Sequence, residues 1–345
     1  VTESTVTDPN PQPGSAAIRR PDGRQSGLLP LALVTLLAGG ALIGGSYLGT
    51  IGLLVATAVV QTVLVVSWVL GTGLPGRVGG FVLGIAASAA ADAAVMRWHD
   101  HGYEPVLAVL GVAIPLMFIH QLTRGVVRTR VVESLSDIAV LLLAVTAMAG
   151  LIVLRYQVNG DKTTLAVLGA LTAGLVVNHL TDAVLPAPRF DPAINRGLTG
   201  VLTGVLAGGA VGALALRDII DFTGGRAAFL GAAVAAVACL ISVGASFAGV
   251  HSTMAAPASK AAGAETAEVE SADVEAANFK AADLETADFK AAVAGLDDAA
   301  FPPEDPEHEI GPWRGVPPLR PVAAALITVA LTSPAGYVLV TALAG

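Results

Sequence analysis

Charge is scarce in this sequence: Asp, Glu, Lys and Arg make up 13% of it, against about a quarter in an ordinary soluble globular chain. That shortage excludes a fold meant to face water on every side. Cysteine is scarcer still. Cys239 stands alone, so the chain can form no intramolecular disulfide, and a small apolar packing role suits the residue best. Several catalytic signatures are missing as well. The sequence has no Walker-type phosphate loop, H-E-x-x-H, C-x-x-C or G-x-S-x-G, which removes the usual sequence support for ATPase, zinc-protease, redox and serine-hydrolase chemistry. A secretory signal peptide is not expected either, because Arg19, Arg20 and Arg24 precede a glycine-rich span with no separate small-residue cleavage pattern.

What the sequence does hold is apolar length. Hydrophobic residues are 54% of the chain and the mean hydropathy is +0.71. They fall into nine runs, near 28–45, 50–70, 78–97, 104–122, 136–154, 164–184, 197–216, 227–249 and 321–343. A hydrocarbon core about 30 Å thick needs about 20 helical residues to cross it, and a helix satisfies its own backbone there. The expected fold is therefore all-α: a polytopic transmembrane helical bundle of about nine spans with one long acidic cytoplasmic loop. Four regions follow: a disordered tail over 1–26, an eight-helix bundle over 27–250, an acidic Ala- and Pro-rich loop over 251–319, and a ninth helix over 320–345. The stretch 28–71 is nearly continuous, and only Gly44, Gly45, Ser46, Tyr47 and Gly49 mark a turn that divides it in two.

Basic residues stay preferentially on the cytoplasmic side. With the N-terminus inside, cytoplasmic segments hold 14 Lys and Arg and the opposite face five. That predicts a cytoplasmic N-terminus and an outside C-terminus, and the Ala, Gly and Val usage suggests a bacterial cytoplasmic membrane. Residues 251–318 carry 14 acidic against four basic residues. A loop with that balance repels nucleic acid and anionic lipid and suits a basic cytoplasmic protein, through 260–310. The expected partners are thus the bilayer and such a protein, without nucleic acid.

Within the loop, 267–291 reads as five units, AEVES, ADVEA, ANFKA, ADLET and ADFKA. A helix would scatter Val269, Val274, Phe279, Leu284 and Phe289 around its circumference. The pattern resembles the pentapeptide-repeat family, which implies a square right-handed β-helix with those apolar residues inward, and 25 residues supply little more than one coil. An acidic alanine-rich tether is the alternative. Pro302, Pro303, Pro306, Pro312, Pro317 and Pro318 make the following stretch an extended spacer.

Ionisable groups inside a membrane are expensive, so those that face the bundle interior are candidates for function. Gly80, Gly84, Ser88 and Asp92 recur at intervals of four, placing Asp92 on a ridge of small residues that turns into the bundle, near the outer interface with Arg97 five residues on. Ala170, Gly174, Asn178 and Asp182 repeat the arrangement, with His179 beside them. His179 and Asp182, three apart, could share a proton or a divalent cation; the plainer alternative is a hydrogen-bonded pair, or an ion pair with Arg189. His120, Asp137, Arg189, Asp191 and Arg196 collect at the same cytoplasmic face. Gly200, Gly204, Gly208 and Gly212 form a G-x-x-x-G ridge for helix packing. No metal site and no cofactor are expected.

The run TDAVLPAPRFDPAINRGLTG, within 160–250, resembles the layout of CDP-diacylglycerol synthases, with Thr181 and Asp182 at that family's T-D pair. The resemblance implies a lipid nucleotidyltransferase, in degenerate form. Ala193, Ile194, Asn195 and Arg196 lack the later Lys and Glu, and GVHSTMAAPASK replaces the strongest signature. Three readings result: a non-catalytic membrane scaffold or binding protein presenting the acidic loop, which is favoured; a small-solute or ion transporter; and the lipid enzyme. Against transport stand the absence of a half-to-half repeat and the rarity of proline-broken spans, Pro115 being the main exception.

Overall fold

The computed structural model describes residues 27–73, 77–123, 131–185, 187–191, 194–219, 222–247 and 319–344. Among these, nine helices are long and apolar enough to cross a membrane. They are α1 Leu28–Tyr47, α2 Gly49–Thr72, α3 Arg77–Arg97, α4 Glu104–Thr123, α5 Val131–Arg155, α6 Gly160–Val184, α7 Leu198–Ala215, α8 Gly224–Phe247 and α9 Leu319–Ala344. The only β pairing among the described residues is an isolated antiparallel bridge between Arg189 and Gly197. The all-α polytopic bundle is therefore the fold. The 1–26 tail and the five repeat units lie outside the described residues.

The apolar stretch from 28 to 71 is two helices. Leu48 donates to Gly44 O and Gly45 O, at 3.3 and 3.1 Å, and Gly49 takes φ +91°, a left-handed value that glycine adopts without strain. Beyond the turn α1 and α2 touch backbone to backbone: a methyl group on Gly45 would stand 2.6 Å from both Gly52 O and the Ala56 methyl.

Large apolar side chains lie on the outside of the bundle, among them Leu29, Leu33, Leu36, Ile51, Val55 and Val59. On a water-soluble protein such a surface would be an aggregation liability; against acyl chains it is the matched one. The interior holds leucines together with small and hydroxyl-bearing residues. Helix α5 runs through its middle, and α9 returns there to pack on α1, α2, α5 and α6. Helices α3 and α4 form a hairpin against α2 and α5, while α6, α7 and α8 form a second group with α1 along α6.

Contacts near the helix ends define two faces. Trp68 Nε1 donates to Asp137 O at 3.1 Å, Arg320 Nε donates to Gly71 O at 3.1 Å, and Gly79 sits under the His120 ring. The first face thus carries the ends of α2 and α4 and the starts of α3, α5 and α9. On the second face His99 stacks on Tyr156, ring centroids 4.4 Å apart, and Arg226 Nη1 reaches Leu343 O at 3.4 Å. Alternation along the chain brings the end of α6, the start of α7 and the end of α8 to the first face.

Helix α5 is interrupted. The Ala149 N–H bonds Thr146 O at 3.2 Å, one residue short of the α-helical acceptor, Val145 O. The sequence shows one unbroken span there. The structure makes it two helical segments, Val131–Met148 and Gly150–Arg155, and leaves a carbonyl deep in the bundle for a side chain to use.

Candidate functional site

The connection from α6 to α7 folds back on itself, and this decides where its charges go. Phe190 N–H donates to Arg196 O at 3.1 Å, Leu198 N–H to Pro188 O at 2.9 Å, and the Thr199 hydroxyl to Leu185 O at 2.8 Å. Arg189 is left on the exposed edge of this loop, whereas Arg196, two residues before α7, turns inward and is 2% exposed.

There the guanidinium joins two helices. Its Nη1 lies 2.6 Å from His179 Nδ1 and 3.5 Å from Asp182 Oδ2, both on α6. Its Nη2 donates to Ser242 Oγ at 2.9 Å and its Nε to Ser246 Oγ at 3.1 Å, both on α8. A guanidinium only donates, so His179 Nδ1 is an acceptor and the neutral ring carries its proton on Nε2. Asp182 Oδ1 accepts the Gly197 N–H at 3.0 Å, which puts a carboxylate at the N-terminus of α7, where the helix dipole favours it. His179 and Asp182 are each 1% exposed. Burial pulls the Arg196 pKa below its ordinary value, and Asp182 beside it acts in the opposite direction.

The glycine ridge of α7 makes this closeness possible. A methyl group on Gly200 would collide with the Asp182 carboxyl and stand 2.7 Å from Asn178 Oδ1. On Gly204 it would meet Gly174 O at 2.6 Å and Cys239 Sγ at 3.0 Å, and on Gly212 it would meet Ala227 O at 2.5 Å. The ridge therefore packs on α6 at one end and on α8 at the other. Thr203 adds a hydroxyl bond to Thr181, 2.9 Å long.

Of the residues singled out from sequence, Asn178, His179, Asp182 and Arg196 meet in this cluster. The partner of Asp182 is Arg196 rather than Arg189, because the fold-back of the loop turns the first inward and the second outward. His120 lies in the last turn of α4 against Gly79, Asp137 lends its backbone carbonyl to Trp68, and Asp191 stays in the loop, where its carbonyl accepts the Ile194 N–H at 3.2 Å. Ser242 and Ser246 escaped notice. The available signal was two serines four apart in an otherwise apolar span.

Asp92 occupies a separate site. It is 6% exposed, and its Oδ1 accepts the Gln61 Nε2 at 3.2 Å; the same Nε2 donates to Val145 O at 3.0 Å, the carbonyl released by the interruption in α5. Arg97 is not its partner. That guanidinium is exposed over the Trp98 ring, 5.9 Å from its centroid.

Among the described residues no three His, Cys, Asp or Glu side chains are grouped so that they could hold a metal ion. No family model, curated protein or solved structure matches the chain. What can be said of function therefore comes from the chain's own residues.

Proposed function

We propose that this is a multi-pass membrane protein of non-catalytic character that holds the acidic segment 248–318 at a membrane surface for a basic protein partner. The observation that carries the reading is the anchoring of both ends of that segment. Where the chain leaves α8, Ser242 and Ser246 are tied by Arg196 to α6; where it re-enters at α9, Arg320 is tied to Gly71 O at the end of α2. Both points lie on the first face of one packed bundle. The insertion between them carries 14 acidic and four basic residues over 251–318, a charge balance that recruits cationic surfaces through long-range attraction. The α6–α8 cluster supports the same view. His179, Asp182 and Arg196, the residues best suited to transfer chemistry, are engaged with one another and with Ser242, Ser246 and Gly197, and Thr181 is bonded to Thr203. The basic count of the loops puts this face in the cytoplasm.

Deleting 258–312 from the full chain tests the proposal. Cross-linking and capture from solubilised membranes should recover a basic protein with the full chain, and the yield should fall as ionic strength rises. The deleted chain should fold, reach the membrane and lose that protein. Recovery of the same proteins at the same yield after deletion, or after neutralising the loop's carboxylates, overturns the reading.

A further inference from the structure

The Asp92 site has oxygen atoms that none of the described residues bonds. Gln61 is fully buried, and its amide nitrogen is committed twice, to Asp92 Oδ1 and to Val145 O. Its Oε1, on the same carboxamide carbon, is buried without a hydrogen-bond partner among the described residues. One turn away on the same face of α2, Thr57 is fully buried, and its Oγ1 also lacks a partner among the described residues. That is unusual for this helix. Thr62 and Thr72 return their hydroxyls to the carbonyls four residues back, Ala58 O and Trp68 O, at 2.8 and 2.7 Å. A buried hydroxyl that forgoes this bond gives up about 1–3 kcal/mol unless something else uses it.

Register brings Thr57 level with Asp92. Helices α2 and α3 are antiparallel neighbours, and the position of a methyl group on Gly84 lies 3.0 Å from the Val65 side chain. Stepping one turn along each helix sets Ser88 opposite Gln61, and a second step sets Asp92 opposite Thr57. Beyond them Leu54 packs on the cluster that contains Ala91 and Val95, as this register requires. Register thus sets one unused oxygen, on Thr57, level with the Asp92 carboxyl, and the other belongs to the Gln61 amide that bonds it. The tightened turn of α5 meets this pair through Val145 O, which accepts the Gln61 Nε2 at 3.0 Å.

We infer that Asp92, Gln61 and Thr57 bind a dehydrated monovalent cation at the interruption of α5. The ligand chemistry is that of a hard cation: carboxylate, amide and hydroxyl oxygens, with no nitrogen or sulfur required. The charge selects valence. One carboxylate neutralises one positive charge, whereas a divalent ion would leave a net charge in a low-dielectric interior, which is costly. Backbone carbonyls freed from helical bonding coordinate Na⁺ in a number of transporters, and the tightened turn at Ala149 presents Val145 O beside this site. The inference is independent of what the acidic segment does, since an ion kept in place for stability would satisfy it as well as one that is carried.

Thermal unfolding of the purified full chain in mild detergent tests this, in NaCl, KCl or LiCl against choline chloride at equal ionic strength and pH. One alkali cation should raise the midpoint in a saturable way, as a ligand specific to the folded state does. Asp92→Asn should abolish the shift. Thr57→Val, which keeps the volume, should raise the half-saturating concentration about tenfold or more, the equivalent of about 1.4 kcal/mol. An absent alkali-specific shift, a shift produced by Ca²⁺ alone, or a Thr57→Val protein that titrates like the parent would each overturn the site; the last holds even if Asp92→Asn fails to fold.

Discussion

At the scale of single residues, Arg196 carries the heaviest electrostatic load. It is buried in a bundle whose surroundings are hydrocarbon, where removing a charge from water costs several kcal/mol, and it is stabilised only by the partners it finds there. Arg196→Met should therefore lower unfolding stability by about 3–5 kcal/mol, because it leaves the Asp182 carboxyl without its counterion. Asp182→Leu should be costly for the converse reason. Together the two should cost less than their sum, with a coupling of about 0.5–3 kcal/mol, measured as a double-mutant cycle by denaturation in detergent. Strict additivity would mean that the 3.5 Å contact carries no energy. How much of this cluster the sequence disclosed depends on the kind of signal. Asn178, His179 and Asp182 lie on one helix at helical spacing, so periodicity brings them together. Arg196 reaches them only through the fold-back of residues 185–197, and Ser242 and Ser246 only through the packing of α8. Neither leaves a trace in local spacing.

The next scale is the helix, and there the glycines divide sharply by position. Gly208 and Gly212 face α8 so closely that a side chain would meet Gly231 O or Ala227 O, at 2.8 and 2.5 Å, whereas Gly40 and Gly44 of α1 have nothing within 4 Å. Backbone cannot move aside as a flexible side chain can. Gly208→Val should cost about 1–3 kcal/mol or more by separating α7 from α8, and Gly44→Ala should change stability by about 0.5 kcal/mol or less. Thermal melts of the two variants beside the parent decide this, and equal losses would refute the packing argument. The G-x-x-x-G interval on α7 was legible because close helix contact demands small residues in register. The interruption of α5 was not, since the run from Val131 to Arg155 contains no proline. It coincides with a bond to Val145 O from Gln61, 84 residues away in sequence, a contact that local spacing does not record.

For the whole molecule, composition alone was enough to reveal the architecture. Helices that must satisfy their backbone in hydrocarbon leave long apolar runs, and those runs match α1 to α9 within a few residues at most ends. The exception in kind is the end of each run, where capping and loop contacts set the boundary. Alternation of the crossings has one geometric consequence: the ends of α4 and α8 and the start of α9 share a face with the loop around Phe190, and Asp100 and Val158 lie on the other. On the proposed orientation, drawn from the basic bias of the loops, the first face is cytoplasmic. In a background with Cys239 replaced by Ser, single cysteines at Asp100 and Val158, whose side chains are exposed, should react with a membrane-impermeant maleimide in intact cells. Cysteines at Phe190 and Glu285 should react only after permeabilisation. A full inversion of that pattern would reverse the orientation while leaving the fold intact, and would move the acidic segment, with its proposed partner, to the outside. Labelling that divides Phe190 from Glu285 is the more damaging result. It would mean that α7 and α8 do not both cross, and then the buried contacts of Arg196 with Ser242 and Ser246 could not exist.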